Sequence, residues 1–306
     1  MKAFRKRNSQ REFHQKFQLQ SAMEYLMTYG WAILIIAVVL AALFELGVFN
    51  PMTFAPKASP GSCQVVRPEG AGTTNFISLE GECNGELPQY VAQFDGNNNY
   101  ITSNIIGLPV GAAQRTVTMW VYTSDLNQQR AFFGYGTATA YGTFYAAVGT
   151  DCGYGPEDIW VDAGDTCQDL PPYHQPLGWS FVAYSYNGVA QNAYLGNSGS
   201  LSSVSKAFTA NTLYTTFYIG DDYQDYNGGF QGSIANVQLY NTSLSTNDVQ
   251  ALYQEGIGGA PIDLQNLVGW WPLNGNANDY SGNGNNGVPT SGVSYTSNWY
   301  SGYSAP

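Results

Sequence analysis

An apolar segment near the N-terminus constrains this chain more than any other feature of its sequence. It runs from Leu26 to Val48 with one charged residue, Glu45, and follows a leader that holds six of the chain's eleven Lys and Arg residues. A helix of about 25 residues is roughly 37 Å long, enough to cross a bilayer. Basic residues beside a span stay in the cytoplasm. The sequence therefore predicts a membrane protein of the cell surface, with a cytoplasmic N-terminus and residues 49–306 extracellular.

The start of the apolar segment resembles the class III signal peptide of archaeal type IV pilin-like proteins. The matching residues are Lys16, Gln20, Ser21 and Glu24, with the helix that follows them. The resemblance implies that a peptidase cuts between Leu19 and Gln20 and that the helix packs into a filament core. Two positions depart from the family pattern. A small residue usually precedes the cut, where this chain has Leu19, and the serine usually lies two residues after the glutamine rather than one.

Glu24 has two alternative roles. After the implied cut it would be the fifth residue, where pilin-like proteins carry a glutamate. A carboxylate at mid-bilayer costs about 2.5–3.5 kcal/mol, which the new α-amine of Gln20 on a neighbouring subunit would offset in a filament. In the alternative, Glu24 lies at the membrane interface and its side chain reaches water.

The extracellular part is strongly acidic. Residues 49–306 contain 5 basic and 19 acidic residues, a formal charge of 5 − 19 = −14. Such a surface repels phosphate backbones, so nucleic acid is not expected as a partner. Prolines in residues 50–62 predict a semi-rigid stalk. The expected organisation is a basic leader (1–19), a transmembrane or pilin-like helix (20–49), the stalk (50–62) and one folded domain (63–306).

The four cysteines form two local pairs. They have no CxxC spacing, and His174 is the one histidine outside the leader, so a zinc site is not expected. The natural pairing is Cys63–Cys83 and Cys152–Cys167. In the chain-entropy model each bond closes a loop of about 15–20 residues and adds roughly 3 kcal/mol.

The extracellular pattern predicts an all-β sandwich with one short helix. Alternating residues place Val117, Met119 and Val121 on one face of a strand, and short strands of this kind recur between Gly, Asn and Asp turns. The helix is predicted to begin at Ser245, a capping residue, and to end at Gly256.

Six segments together resemble the laminin-G-like, concanavalin-type jelly roll, the LamG family. They are residues 92–101, 116–122, 178–182, 218–220, 232–241 and 267–284. The last block usually opens the family's domain, whereas here it comes last. Two arrangements would pair its strand: it folds back into its own domain as a circular permutation, or it inserts into a neighbouring subunit. The short linker over residues 256–261 favours folding back.

The resemblance implies a possible calcium ion. LamG-like domains often place calcium near an Asp-x-Ser-Gly turn, where this chain has Asp279, with a second acidic ligand on a neighbouring strand. That second position reads Ala235-Asn236, so a ligand is lost. The alternative is that Asp279 caps its turn by accepting hydrogen bonds from backbone N–H groups. No cofactor other than this possible calcium is expected.

Catalysis is not expected. Concanavalin-like glycosidases need two close carboxylates on one strand face, in a Glu-x-Asp-x-Glu signature that this chain lacks. The nearest acidic strand carries Asp158 and Asp162 without a glutamate between them. Asn241 begins an Asn-x-Ser sequence and is a candidate glycosylation site.

Glycan recognition would use exposed aromatic rings, although most aromatics of a sandwich fill its core. Candidates are Trp120, Tyr135, Tyr141, Tyr154, Tyr223 and Tyr226. The sequence thus predicts a non-enzymatic surface protein, either a pilin-like subunit or a membrane-anchored adhesin, whose LamG-like domain recognises glycans or host-surface proteins. The alternatives are an anchored lectin that forms no filament and a carbohydrate-active enzyme.

Overall fold

The computed structural model of the chain describes part of its residues. These are residues 27, 29–45, 55–123, 130–137, 139, 141–148, 158–162, 168–174, 177–207, 209–221 and 229–306. They belong to two compact units, Met1–Ala55 and Pro56–Pro306. The predicted leader, the cleavage position between Leu19 and Gln20, and Glu24 lie outside the described residues.

The first unit contains helix α1, over residues 29–45. Large apolar side chains along this segment are between 49% and 75% exposed, and they are Met27, Tyr29, Trp31, Ile33, Leu34, Ile35, Ile36, Val38, Val39, Leu40 and Phe44. In the described part of the chain, no helix is both long enough and apolar enough to cross a membrane. The span predicted over residues 20–49 includes residues outside this part, and it stays a prediction.

The second unit contains helix α2 (Thr246–Glu255) and nineteen strands within its described residues. In chain order the strands are β1 (Lys57–Ala58), β2 (Cys63–Val66), β3 (Ser78–Gly81), β4 (Leu87–Pro88), β5 (Val91–Asp95), β6 (Ile101–Ser103), β7 (Arg115–Thr123), β8 (Arg130–Gly136), β9 (Thr143–Val148), β10 (Asp158–Asp162), β11 (Gln168–His174), β12 (Gly178–Tyr186), β13 (Ala190–Asn197), β14 (Ser200–Ala207), β15 (Phe217–Ile219), β16 (Gln231–Tyr240), β17 (Leu267–Trp271), β18 (Val288–Pro289) and β19 (Ser294–Thr296).

Two large sheets form a sandwich, as the sequence predicted. One sheet has seven strands in the order β11-β10-β9-β8-β15-β6-β18. The other has eight in the order β14-β13-β12-β7-β16-β5-β19, and β17 pairs with β16 beside this path. Two small pairs, β1 with β4 and β2 with β3, complete the unit.

The predicted alternation of β7 is confirmed. Val117, Met119 and Val121 are fully buried in the core that the two sheets share. The core also receives Trp271 of β17, which stacks on Phe217 of β15 with ring centroids 5.6 Å apart. The inner faces thus form one continuous apolar layer, which is the main source of stability in a sandwich.

Strand β16 changes its partner at a bulge. Its first half, Gln231 to Ile234, pairs with β5, and its second half, from Val237, pairs with β17. The register along β7 shifts between Ala235 and Gln238, where Asn236 has a φ of 53°. An extra residue at a bulge bends a strand, and here the bend turns β16 from one neighbour to the other.

The segment after α2 completes the sandwich of its own chain. Strand β17 pairs with β16, β18 pairs with β6, and β19 pairs with β5. Strands β18 and β19 lie last in the strand orders of the two sheets, so each covers an edge that would otherwise present unpaired backbone groups. The structure has the fold-back arrangement that the short linker favoured.

Helix α2 has the predicted ends. The Ser245 hydroxyl accepts a hydrogen bond from the N–H of Asp248 at 3.2 Å, and the Asp248 carboxylate accepts one from the N–H of Ser245 at 3.0 Å. Gly256 ends the helix with a φ of 80°. The reciprocal bonds satisfy backbone donors that a helix start leaves free.

The folded unit begins earlier than the stalk prediction implies. The N–H of Leu87 donates to the carbonyl of Pro56 at 3.1 Å, and the N–H of Gln89 donates to that of Ala58 at 3.2 Å. Residues 56–62 are therefore part of the unit that begins at Pro56, rather than of a stalk that continues to residue 62. Proline content favoured a stalk, but it carries no information on the backbone hydrogen bonds that join these residues to the folded unit.

One predicted disulfide is confirmed. Cys63 and Cys83 are bonded, with Cα atoms 5.0 Å apart. Cys152 and Cys167 lie outside the described residues, so their pairing stays a prediction.

Candidate functional site

A small cleft, with a cavity volume of about 40 Å³, opens to solvent beside β17. Its walls come from the start of the folded unit, from the loop between β3 and β4, and from the segment after α2. The lining combines apolar side chains with carboxylates, amides and hydroxyls. The apolar residues are Pro88, Ile257, Trp270 and Pro272, and the polar ones are Glu82, Glu86, Asn236, Asn274, Ser59 and Ser62. This mixture of apolar surface and few polar groups is typical of small-molecule sites.

One wall of the cleft is covalently fixed. The Cys63–Cys83 bond joins the first wall to the loop that carries the two glutamates. The N–H of Glu82 also donates to the carbonyl of Ser62 at 2.8 Å. These links hold the two segments side by side, so the cleft does not depend on side-chain packing alone.

The floor is built around the bulge of β16. Asn236 accepts hydrogen bonds from the indole N–H of Trp270 at 2.8 Å and from the amide of Gln238 at 3.1 Å. Its own Nδ2 donates to the carbonyl of Gly259 at 2.7 Å. Strand alternation sends Trp271 into the core and Trp270 to the other face, where it meets this amide. Because three of the four hydrogen-bonding positions of the Asn236 amide are used within the protein, it positions Trp270 and leaves little capacity for a ligand.

The second amide also has a structural role. Asn274 donates to the carbonyl of Ala58 at 2.9 Å and accepts from the N–H of Tyr90 at 2.8 Å. It therefore ties the first wall to the segment after β17, and both cleft amides are already engaged by the protein.

Glu86 is different, because one of its carboxylate oxygens lacks a partner. Its Oε2 is buried and makes no hydrogen bond. The backbone of Glu86 is held by the loop after α2: a Cβ at Gly258 would lie 2.1 Å from the Glu86 carbonyl oxygen. Only glycine allows this approach. An unpaired buried carboxylate oxygen is costly, and this one has almost no surface that a ligand could reach.

The cleft is electrostatically one-sided. Glu82 is exposed at the cleft and Glu86 is half-buried, and the described lining residues include no Lys or Arg. Carboxylates favour positive groups and repel anions, although Lys57 of β1 pairs with Leu87, the residue after Glu86.

The Asp279 turn has the geometry of the capping alternative. Its Oδ1 accepts from the N–H groups of Trp270 at 2.9 Å and Ser281 at 2.8 Å. Its Oδ2 accepts from the Ser281 hydroxyl and from the N–H of Asn285, both at 2.8 Å. A calcium ion at Asp279 would have to displace one of these four donors, so the arrangement fits a turn cap better than a calcium ligand.

Arg67 lies beside this turn, and sequence reasoning missed it. Its guanidinium donates to the carbonyls of Ser281 at 2.9 Å, Leu264 at 2.8 Å and Leu267 at 3.1 Å. Burial lowers the pKa of Arg67, and the negative charge of Asp279 raises it. The one sequence signal that could have pointed to Arg67 was the scarcity of basic residues outside the leader.

In the ranges that the structure describes, no cluster of three or more His, Cys, Asp or Glu could hold a metal ion.

Two of the aromatic candidates are buried rather than available to a glycan. Trp120 packs against Phe181 and Tyr253, with ring centroids 5.7 and 5.9 Å away. The hydroxyl of Tyr135 donates to the carbonyl of Pro109 at 2.8 Å, and burial raises the pKa of Tyr135. Both residues fill the fold, as the alternative interpretation held.

The remaining candidates divide between described and undescribed residues. Tyr141 is 42% exposed, whereas Tyr154, Tyr223 and Tyr226 lie outside the described residues. Asn241 is exposed directly after β16, where a glycan would be accessible. Asp158 and Asp162 lie at the two ends of β10, whose side chains are outside the described part of the structure.

Comparison with solved structures places this architecture among known sandwiches. A protein from Bacteroides ovatus ATCC 8483, for which carbohydrate binding is proposed, superposes with a TM-score of 0.53 at 15% identity, over 72% of this chain and 63% of its own. The enzymatically active domain of tailspike protein 2 from bacteriophage CBA120 gives 0.44 at 15% identity, over 64% and 34%. Domains LG4-5 of the mouse laminin alpha1 chain give 0.38 at 12% identity, over 56% and 45%.

The chain spans less than two thirds of each of these structures. A search of curated protein sequences found no match. A family model does match: that of the Concanavalin A-like lectin/glucanases superfamily, Laminin G 3, aligns with residues 95–250, slightly more than half of the chain. This range extends from the end of β5 into α2 and covers most strands of both sheets. The chain therefore belongs to the Concanavalin A-like lectin/glucanases superfamily.

Proposed function

We propose that this chain is a non-enzymatic surface protein whose sandwich recognises carbohydrate through the cleft beside β17. The observation that carries the proposal is the cleft itself, in which the partly exposed Pro272 lies beside the carboxylates of Glu82 and Glu86 and the hydroxyls of Ser59 and Ser62. Sugar rings present C–H faces and hydroxyl groups, which require this combination. The Bacteroides ovatus protein of the same fold, for which carbohydrate binding is proposed, supports the assignment by analogy of fold.

A substitution that fills the mouth of the cleft tests this proposal. Ser59 is exposed and lines the cleft, so Ser59→Trp should block ligand entry while leaving the fold intact. Ser205→Trp is the matched control, because Ser205 is exposed on β14 and does not line the cleft. We expect a glycan array to show binding by the wild type and by Ser205→Trp, and its loss in Ser59→Trp. Equal binding by all three would contradict the cleft as the site.

The proposed surface location rests on α1. A helix with apolar side chains exposed on all sides needs lipid or other apolar helices around it. We therefore propose that the segment 20–49 either anchors the protein in a membrane or packs into a filament, with the sandwich displayed outside the cell.

Processing distinguishes a filament subunit from a simple anchor. Mass spectrometry of the mature protein should find Gln20 at its N-terminus if a pilin-type peptidase acts on it. Glu24→Gln should then insert normally but assemble poorly, because it removes the charge that would pair with the Gln20 amine. Normal assembly of this variant would argue against the pairing.

A hydrolysis assay separates the non-enzymatic assignment from the enzyme alternative. If the protein is not an enzyme, incubation of glycan ligands with the wild-type chain should release no reducing ends. Release that persists in the purified protein would contradict the non-enzymatic assignment and direct attention to Asp158 and Asp162 on β10.

A further inference from the structure

We propose that two copies of this chain associate through one end of the sandwich. At this end β6, β8, β12 and β14 finish, and β7, β9, β13 and β15 begin. The segments that connect these strands form a surface that we call the loop end. Its described residues are 104–114, 137, 139, 141–142, 187–189 and 209–216.

Hydrogen bonds join the segments of the loop end into one surface. Gly111 and Thr212 form an antiparallel bridge, in which each N–H donates to the carbonyl of the other residue, at 2.7 and 3.3 Å. The N–H of Leu213 donates to the carbonyl of Gly142 at 3.1 Å. The side-chain amide of Gln114 donates to the carbonyl of the first residue in the β12–β13 turn at 3.3 Å. Segments from four parts of the chain therefore lie side by side.

A buried arginine holds the largest of these segments from below. Arg115 is fully buried, and its guanidinium donates to the carbonyls of Pro109 at 3.0 Å and Gly111 at 2.8 Å. The hydroxyl of Tyr135 donates to the same Pro109 carbonyl at 2.8 Å. The loop is thus fixed before any partner arrives, and a fixed surface loses little conformational entropy when it binds.

Large apolar side chains are exposed across the loop end. Val110 and Leu213 lie opposite each other beside the Gly111–Thr212 bridge. The hydroxyl of Tyr214 donates to the carbonyl of Ile105 at 3.2 Å, which places Tyr214 beside the next residue, Ile106. A contiguous apolar surface on a folded unit typically marks an interaction site. The exposed apolar residues are 38–82% exposed, and they are Ile106, Val110, Tyr141, Val189, Leu213 and Tyr214.

The charge of the loop end favours a second copy as its partner. None of its residues is Asp, Glu, Lys or Arg, although residues 49–306 carry a charge of −14. Lys206 and Asp162 lie at its margin, because their strand partners follow the β12–β13 turn and the start of β9. Two acidic copies repel each other where their charged surfaces meet. A two-fold axis through the loop end instead brings one uncharged apolar surface against an identical one.

The size of the loop end fits a small interface. Twenty of its described residues are at least partly exposed. Specific interfaces use about 20–30 residues from each partner, so this surface is sufficient for a reversible dimer. Attachment of many copies to one membrane or filament would add a high effective concentration.

Crosslinking of the full-length chain in mild detergent tests the inference. Leu213→Cys places a thiol at the centre of the loop end, where the side chain is 43% exposed. Ile262→Cys is the matched control, because Ile262 is 39% exposed in the segment after α2, outside the loop end. A short bis-maleimide should convert Leu213→Cys to a covalent dimer about tenfold faster than the control. Equal rates would overturn the inference.

A charge placed on the loop end should prevent the association. Ile106 is 82% exposed, so Ile106→Asp should leave the fold intact. In the Leu213→Cys chain it should slow crosslinking about tenfold, since each dimer would bury two unpaired carboxylates. Phe76→Asp is the control, because Phe76 is 80% exposed on the loop between β2 and β3, and it should leave the rate unchanged. Equal effects of the two substitutions would contradict the proposed surface.

The ionic strength gives an independent measurement. Added salt screens the repulsion between acidic copies, so crosslinking of Leu213→Cys should become faster as salt is raised. Slower crosslinking would indicate association through attraction between charges, and it would refute an uncharged interface.

This inference and the proposed function fail separately, because none of the residues that line the cleft belongs to the loop end. Ser59→Trp should therefore leave crosslinking unchanged. If Ile106→Asp abolished glycan binding and left crosslinking unchanged, the loop end would be a glycan site, and the inference of a second copy would be overturned.

Discussion

Asp279→Ala should destabilise the folded unit strongly, because this carboxylate holds a whole turn together. In the wild type it accepts hydrogen bonds from three backbone N–H groups, those of Trp270, Ser281 and Asn285, and from the Ser281 hydroxyl. The substitution removes both acceptor oxygens and so all four hydrogen bonds at once. The hydroxyl retains a second acceptor, the carbonyl of Val268 at 3.3 Å, so the three backbone donors dominate the loss.

The magnitude follows from the number of donors left without a partner. A hydrogen bond typically contributes about 1 kcal/mol net, and more when one partner is charged. Three lost bonds to a carboxylate would cost about 3–5 kcal/mol, and partial access of water to the half-buried turn places the expected loss near the lower end. A domain is typically stable by about 5–15 kcal/mol, so the variant should still fold.

Urea unfolding of the full-length chain in mild detergent, followed by tryptophan fluorescence, measures this loss. Asp263→Ala is the graded control, since Asp263 accepts one long backbone bond from Asn266 at 3.4 Å and one from its side chain at 2.9 Å. We expect it to cost less than about 1 kcal/mol. Equal losses in the two variants would refute the reasoning from donor number.

A calcium titration of the wild type belongs to the same experiment. We propose that the turn folds without calcium, because the four donors already occupy Asp279 and Arg67 places a cation nearby. Neither calcium nor a chelator should then move the unfolding midpoint. A rise of the midpoint with calcium would show that the ion displaces one of the donors.

The remaining predictions concern core hydroxyls, the disulfide and the last segment. Tyr184→Phe should raise the free energy of unfolding in urea by about 1 kcal/mol, because the buried Tyr184 hydroxyl has no partner. Tyr240→Phe should lower it by about 1 kcal/mol, because it loses a 2.6 Å hydrogen bond to Gln238. Shifts of the same sign in the two variants would contradict this. Burial raises the pKa of both phenols, so the folded state keeps protons that the unfolded state releases, and the unfolding midpoint should fall as pH rises above about 10; a midpoint that is flat to higher pH would be the contrary result. Replacing Cys63 and Cys83 by serine should cost about 3 kcal/mol for a loop with a sequence separation of 20, and an unchanged midpoint would mean that the loop is constrained without the bond. Truncation after Gly256 should abolish cooperative thermal unfolding, because both sheets lose an edge strand and β16 loses β17; a monomer that melts like the full chain would be incompatible with this fold.

Local patterns in the sequence predicted the local structure well. The alternation of β7 and the capping residues of α2 depend on neighbouring residues, so their pattern is complete within ten positions or fewer. The Cys63–Cys83 pair was also predictable, because short separation in the chain favours pairing. The fold-back of residues after α2 followed from the resemblance of the Trp270 block to a sandwich strand, together with the short linker.

The cleft could not be predicted in the same way. Its walls come from segments around residues 59, 86, 258 and 272, which no local pattern connects. Glu86 looks like any surface glutamate in the sequence, and only the three-dimensional arrangement leaves its oxygen unpaired. Arg67 was missed for the same reason, since its acceptors lie about 200 residues further along the chain.

Trp120, one of the aromatic candidates, is buried for a different physical reason. Alternation along β7 separates Trp120 from the inner core. The outer face of the eight-stranded sheet is covered as well, since Tyr253 of α2 stacks on Trp120. A strand pattern shows which side chains share a face, but not whether a second layer covers that face.

The hydrogen bonds that Arg67 donates to distant carbonyls affect the timing of folding. Early residues of the folded unit bind residues 264–281, and the strands that close both sheets end at residue 296. During synthesis or export, the sandwich therefore remains open until nearly the whole chain has emerged. Such distant pairing slows folding, because the chain loses the entropy of a long loop before the contacts form. The chain thus depends on its late segments to close the sheet edges against premature association with other chains.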